Sequence, residues 1–227
     1  YWLSPVVILA SYVLGLNDLV PVFFLVVSIF FLKKNHLLTS GIFCGVAISA
    51  KLSMCLTLPL FLIFLYNKKS LRQFLWKFAV GFILIFLTLG LPFFFTEEGI
   101  RMLASTPGMR NVFNLSIPLN DEIIVYLIPL FYSTILYLVW RLKRINFELF
   151  QSIIGLSLFS IMIVVPESIG WFIWSIPFLS LYQAKHGRKA ILLVMGFSML
   201  YLINILFVTP IELKLLGNSY SNNFIIK

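Results

Sequence analysis

The stretch YVLGLNDLVPVFFLVVSIFFLKKNHLLTSGIFCGVAISAK, residues 12–51, decides the reading of this chain. It holds two apolar runs joined by Lys33-Lys34-Asn35-His36, with Asn17-Asp18 at one end and Lys51 at the other. Gly15, just before that polar pair, permits a tight, close-packed turn. A charge at the middle of a bilayer costs about 2.5–3.5 kcal/mol on insertion scales. Asp18 and Lys51 therefore need either a partner or a task.

Outward from this stretch the composition is that of a membrane protein. Of 227 residues, 61% are hydrophobic and 11% charged, against about 25% charged in an ordinary soluble domain. The apolar runs are too long and too uniform for the alternation of an outer-membrane barrel. The expected fold class is all-α, a polytopic membrane helical bundle of about eight to nine apolar segments, some short or re-entrant. Residues 1–227 are expected to form a single transmembrane helical domain. The chain opens on Tyr1 without a basic flank or a small-residue cleavage site, so it carries no signal-peptide pattern. It is expected to begin inside a larger protein. Cys44 and Cys55 lie within apolar runs and read as packing residues.

The net charge of +9 does not point to nucleic acid, because the basic residues fall in short clusters between apolar runs. Twelve of the seventeen Lys and Arg lie at 33–34, 68–77, 141–144 and 185–189, while seven of the eight acidic residues lie in the alternate connections. The positive-inside rule puts the basic connections in the cytoplasm and residues 96–122 and 209–227 outside. The same rule bears on residues 37–66. One continuous helix would be about 45 Å long and would send Lys34 and Lys68 to opposite sides. A reversal at Lys51 keeps both inside, and leaves Lys51 below the outer surface, within protein or a wet cavity.

Each candidate site has an ordinary reading beside a functional one. Asn17 and Asp18 could cap the following helix, or form a ligand-facing polar pair. Lys51 could snorkel to headgroups, hold a phosphate as a compact three-donor cation, or pair with Asp18. Arg110, in the long connection 96–122, could bind an anionic ligand or a lipid headgroup. That connection keeps enough apolar residues, among them Leu103, Val112 and Phe113, to expect a short surface helix or re-entrant turn. Glu167 could serve a helix dipole. Trp171 and Trp174, three apart, could belong to an interfacial belt or face one cavity as a platform for a sugar or isoprenoid. A single carboxylate is not a metal site, so no metal ligands are assigned and no cofactor is required, although a divalent cation at Asp18 stays open. HExxH, CxxC, GxSxG and phosphate-loop motifs are all missing.

Ser4-Pro5, Gly15-Leu16-Asn17-Asp18, Pro21, Ser40-Gly41-Ile42, Gly45-Val46-Ala47-Ile48-Ser49-Ala50-Lys51 and Pro59 together resemble the central segment of GT-C superfamily glycosyltransferases. Trp171-Phe172-Ile173-Trp174-Ser175-Ile176-Pro177-Phe178 is similar to a later helix of those proteins. The likeness covers residues 1–66, and 166–180 more loosely. It differs at Leu16-Asn17, where many relatives carry glutamine before the aspartate. The resemblance implies a multi-span, mannosyltransferase-like enzyme with inverting transfer. The sugar would pass from a polyprenyl-phosphate donor to a glycan or glycolipid acceptor on the external or lumenal side. The family's catalytic carboxylate would lie in a first external loop that this sequence does not contain. Asp18, Lys51 and Arg110 would then be ligand-facing rather than catalytic, and Asn17, Glu167, Trp171 and Trp174 are substrate-binding candidates on their own residue chemistry.

Two other classes compete with this one. A polysaccharide flippase or secondary transporter would suit broken helices and a midplane charge, and a non-catalytic membrane subunit of a glycan-assembly complex would lack the catalytic loop altogether. All three require membrane lipids and none requires nucleic acid. The richness in Phe, Ile and Lys suggests an AT-rich microbial genome, and with it a bacterial or archaeal plasma membrane rather than the endoplasmic reticulum.

Overall fold

Polar interruptions, more than the apolar runs between them, set the architecture. The computed structural model describes residues 4–13, 16–104, 112–113, 115–118, 123–164 and 169–203. Gly15, Arg110, Glu167 and the tail 209–227, each given a role above, lie outside the described residues. Within them the secondary structure is helical except for one antiparallel ribbon, β1 Ser116–Pro118 on β2 Ile124–Tyr126.

The chain enters through α1, Pro5–Val7, which continues as a π-helical turn, Ile8–Val13. Then α2, Leu19–Lys33, and α3, Leu37–Ala50, form a hairpin. Its turn has a specific local cause. Asn35 takes a left-handed conformation, φ 61°. The His36 N–H bonds the Phe31 carbonyl at 3.0 Å, and the Asn35 N–H bonds the Leu32 carbonyl at 3.0 Å. These two bonds make a Schellman cap, in which Asn is the common substitute for Gly. Lys33 and Lys34 fall where the helix dipole favours cations. Deeper in the hairpin, Ser28 Oγ donates to the Ser40 carbonyl (2.8 Å) and Ser40 Oγ to the Ser28 carbonyl (2.9 Å). Two buried hydroxyls are thereby satisfied and the helices are drawn close.

Residues 37–66 are not one long helix. Lys51 is extended (φ −153°, ψ 113°), a 3-10 turn covers Leu52–Thr57, and α4 spans Leu58–Asn67. Pro59 explains the restart. Its nitrogen cannot donate to the carbonyl of Cys55, whereas proline is well placed in a first helical turn. After the short α5, Lys69–Arg72, comes α6, Leu75–Phe94. Gly41 faces Phe78 and Phe82, and Gly45 faces Phe82, Ile85 and Phe86. The numbers rise together, so α3 and α6 run the same way and residues 51–74 return the chain to its starting level. Phe61 of α4 stacks on Phe78 of α6 at 5.5 Å and meets Phe150 edge-on at 5.2 Å, at the centre of the core.

The long connection contains α7, Glu97–Ala104, and the ribbon, on which Phe113 packs edge-on to Tyr126 at 5.2 Å. Next are α8, Leu127–Arg141, and α9, Phe147–Val164. A 3-10 turn, Ile169–Trp174, leads into α10, Ile176–Ile203, which is broken at Gly187 (φ 64°, ψ −144°). Unbroken, such a helix would hold Ile176 and Tyr201 about 37 Å apart. Instead both join Val6 and Val7 in one buried cluster, so the second half folds back on the first.

The two ends of the bundle differ. At one end Lys33 lies over Phe147 (5.9 Å), Asn67 Nδ2 donates to the Leu142 carbonyl (3.2 Å), and Lys185 pairs with Glu148 (2.8 Å). Asp18 and Lys51 occupy the other end. Against the expectation of membrane-spanning helices, no helix among the described residues is long and apolar enough to cross a membrane. Interruptions keep α2 and α3 to 15 and 14 residues.

A Cβ on Gly41 would lie 2.1 Å from the Phe78 carbonyl oxygen, and one on Gly81 would lie 2.3 Å from that of Leu38. Gly41→Ala should therefore force α3 from α6 and cost about 1–3 kcal/mol, read as a lower unfolding temperature. Gly196→Ala, whose Cβ meets nothing within 4 Å, should be neutral or stabilise by up to ~1 kcal/mol.

Candidate functional site

The site is built where three interruptions meet. Asp18 stands just before α2, Lys51 just after α3, and the turn Ile169–Trp174 crosses over both. As the residue preceding α2, Asp18 is placed to cap it, but its side chain makes no capping bond. The carboxylate points inward. Its Oδ1 accepts from the Lys51 ammonium in an ion pair and from Trp174 Nε1 at 2.8 Å. Asp18 is only 4% exposed and Trp174 not at all, so the carboxylate is taken from water and given two donors in exchange. Lys51 keeps 31% of its side chain exposed. Its three N–H donors exceed what Asp18 can use.

The tryptophans are held by the form of their turn. A 3-10 helix has three residues per turn, so positions i and i+3 eclipse. Trp171 and Trp174 accordingly stack at 4.5 Å, with 21° between their planes. The Lys51 ammonium sits 5.3 Å from the Trp174 ring and 5.9 Å from that of Trp171, within cation–π range. Gly170 makes the approach feasible, because a Cβ there would fall 2.4 Å from Asp18 Oδ2. Behind Lys51, Tyr132 Oη of α8 donates to the Leu56 carbonyl at 2.5 Å and ties down the turn Leu52–Thr57.

Of the residues singled out from the sequence, Asp18, Lys51, Trp171 and Trp174 come together in one cluster. Asn17 is exposed beside it and contributes its carbonyl to the Val20 N–H at 3.2 Å. Arg110 and Glu167 lie outside the described residues. The bond from Trp174 to Asp18 and the clearance supplied by Gly170 were not read from the sequence. Neither has a local signal, since each depends on segments more than 150 residues apart. Among the described residues no group of three or more His, Cys, Asp and Glu side chains stands close enough to hold a metal ion. Chemically the cluster is an anchored cation. Asp18 uses Oδ1 for both donors, and Lys51 retains donor capacity beyond the pair.

A helical protein with a buried Asp–Lys pair at one end and its basic connections at the other fits the GT-C class of membrane glycosyltransferases. The family model described as ALG3 protein matches residues 6–120, and the chain belongs to that family, an integral membrane family of mannosyltransferases in glycan biosynthesis. The match covers the N-terminal half of the chain. It includes Asp18 and Lys51 and extends past the likeness seen at 1–66, but does not reach the Trp171–Phe178 segment. No curated protein matches the chain, and no solved structure does.

The burial of the pair sets its energetics. Lys51→Ala would strand the Asp18 charge, a loss of about 3 kcal/mol at the low end for broken buried pairs, because Lys51 is partly exposed. Adding Asp18→Asn should recover most of that loss while leaving Trp174 an acceptor. Thermal unfolding of both single variants and the double tests this; equal stability of Lys51→Ala and wild type would refute the coupling. Gly170→Ala should destabilise by about 1–3 kcal/mol through the same carboxylate.

Proposed function

We propose that the chain is a membrane-embedded mannosyltransferase domain, residues 1–227, that takes mannose from a polyprenyl-phosphate donor. Its acceptor is a lipid-linked glycan, and the Asp18–Lys51 end of the bundle handles the substrates. The observation that carries this reading is the buried Asp18–Lys51–Trp174 cluster, within a segment that matches the ALG3 protein family. A partly exposed lysine anchored by a buried carboxylate suits an anionic lipid-phosphate substrate better than it suits a purely structural bridge. In this reading Lys51 and Asn17 face substrate, Asp18 and Trp174 hold Lys51 in place, and Trp171 lends an aromatic edge. Arg110 and Glu167, outside the described residues, remain substrate-binding candidates on the sequence alone.

Membrane embedding is supported by the outward faces of the helices. On α6, Val80, Leu84, Leu87 and Leu91 are exposed at helical spacing, and on α10 so are Leu192, Met195 and Met199. Apolar stripes of this extent belong against lipid rather than water. The basic connections would then face the cytoplasm and the substrate end the opposite side. The family's usual membrane, that of the endoplasmic reticulum, favours a lumenal site over the bacterial or archaeal plasma membrane suggested by composition.

The test uses the protein in sealed vesicles supplied with polyprenyl-phosphate [14C]mannose and a lipid-linked glycan. Mannose transfer is expected, and Lys51→Ala should lower it at least tenfold. Cysteines placed at Lys69 and Glu98 should react from opposite sides. Transfer from a nucleotide sugar alone, or passage of the lipid-linked glycan across the vesicle without mannose transfer, would replace this reading with a different enzyme or with a flippase.

A further inference from the structure

Two residues to either side of Lys51 along the chain lie buried hydroxyls that the packing does not account for. Ser49, near the end of α3, and Ser53, in the following 3-10 turn, have side-chain oxygens shielded from solvent and without a hydrogen-bond partner among the described residues. The third such hydroxyl, Ser11, lies on the π-helical turn that packs against the Trp171–Trp174 turn. Elsewhere the chain satisfies its helical hydroxyls locally. Thr88, Ser133, Thr134 and Ser198 each donate to the carbonyl four residues back, at 2.7–2.9 Å. A buried hydroxyl left unpaired is unfavourable, and in a native structure it calls for a ligand, an ion or a water.

We infer that Ser49, Lys51 and Ser53 form the seat of the donor's phosphate group, and that Asp18 is a positioning residue that aims the Lys51 ammonium into it. The inference rests on the transferase reading above and specifies which part of which substrate this end of the bundle binds. Phosphate oxygens only accept hydrogen bonds. An ammonium with donors to spare, flanked by two hydroxyls free to donate, offers the complementary set. The Asp18 carboxylate is engaged by the Lys51 ammonium and the Trp174 N–H, and neither serine hydroxyl is spent on it. The charges also select between the two lipid substrates. The seat holds a single cation, Lys51, beside neutral hydroxyl donors. That suits the single negative charge of a sugar phosphodiester. The pyrophosphate of a lipid-linked acceptor carries more charge and would need further cations.

The experiment measures mannose transfer by the full chain in vesicles, varying donor and acceptor separately, for wild type, Ser49→Ala/Ser53→Ala and Asp18→Asn. In the double serine variant KM for the polyprenyl-phosphate mannose donor should rise about tenfold or more. KM for the acceptor should not change. Its unfolding temperature should equal or exceed that of wild type, because the deleted hydroxyls have no partner in the protein. Sugar-free polyprenyl phosphate should inhibit wild type competitively with donor and lose potency in the variant by the same factor. Inorganic phosphate at equal concentration should not compete. Asp18→Asn should raise the donor KM alone. Normal wild-type transfer with an unchanged donor KM in the serine variant overturns the seat and leaves the transferase reading intact. So does a lowered unfolding temperature with donor KM unchanged, which would make the hydroxyls structural. A rise in acceptor KM instead, or competition by inorganic phosphate, overturns the assignment to the donor lipid. Wild-type protein that transfers no mannose from the lipid donor defeats both readings together.

Discussion

The arrangement depends on one buried ion pair. Asp18 and Lys51 are 33 residues apart, on either side of a helical hairpin whose far end carries the basic turn. Neither charge belongs in apolar surroundings alone, and the cost of separating them is what fixes the ends of α2 and α3 against each other. Trp174 gives the carboxylate its second donor and brings the last third of the chain to the same point. The pair is thus a structural clasp whose exposed side can also meet a ligand.

Its surroundings are arranged to make that clasp tolerable. Removing a carboxylate from water is compensated only with good geometry and further hydrogen bonds. The 3-10 turn supplies the indole N–H at the required place, and Gly170 gives the room. At the opposite end the basic residues lie over aromatic rings and near Glu148, an exposed setting in which each contact contributes little by itself. The molecule therefore has one chemically demanding end and one that is mainly topological. That asymmetry is the physical basis for placing substrate at the Asp18–Lys51 end.

Family membership and local geometry bear on different parts of the problem. The matched residues, 6–120, define a mannosyltransferase family and contain both members of the ion pair. The Trp-bearing turn is outside the match, yet it completes the cluster. A reading by family alone would stop at the pair, and one by geometry alone would not suggest a sugar.

Much of this was legible in the sequence. The apolar runs and their basic punctuation gave the helical class, and the charge balance gave a reversal at Lys51, after which Pro59 marks the start of α4. The suggestion that Asp18 and Lys51 could meet followed from their shared position between runs. Other features depended on the tertiary structure because they join distant segments. Asp18 turns inward rather than capping α2, since the Lys51 ammonium and the Trp174 indole outcompete the helix N–H groups there. Trp171 and Trp174 stack in a 3-10 turn rather than lying on a helix. The turn back at Gly187 was expected from the basic stretch 185–189, but the packing of Tyr201 against Val6 and Val7 was not. The sequence by itself determined where the chain could not remain helical in apolar surroundings, because proline, glycine and charge act locally. Only the tertiary structure decided which of those interruptions would be brought together, because partners are chosen by packing across the whole fold.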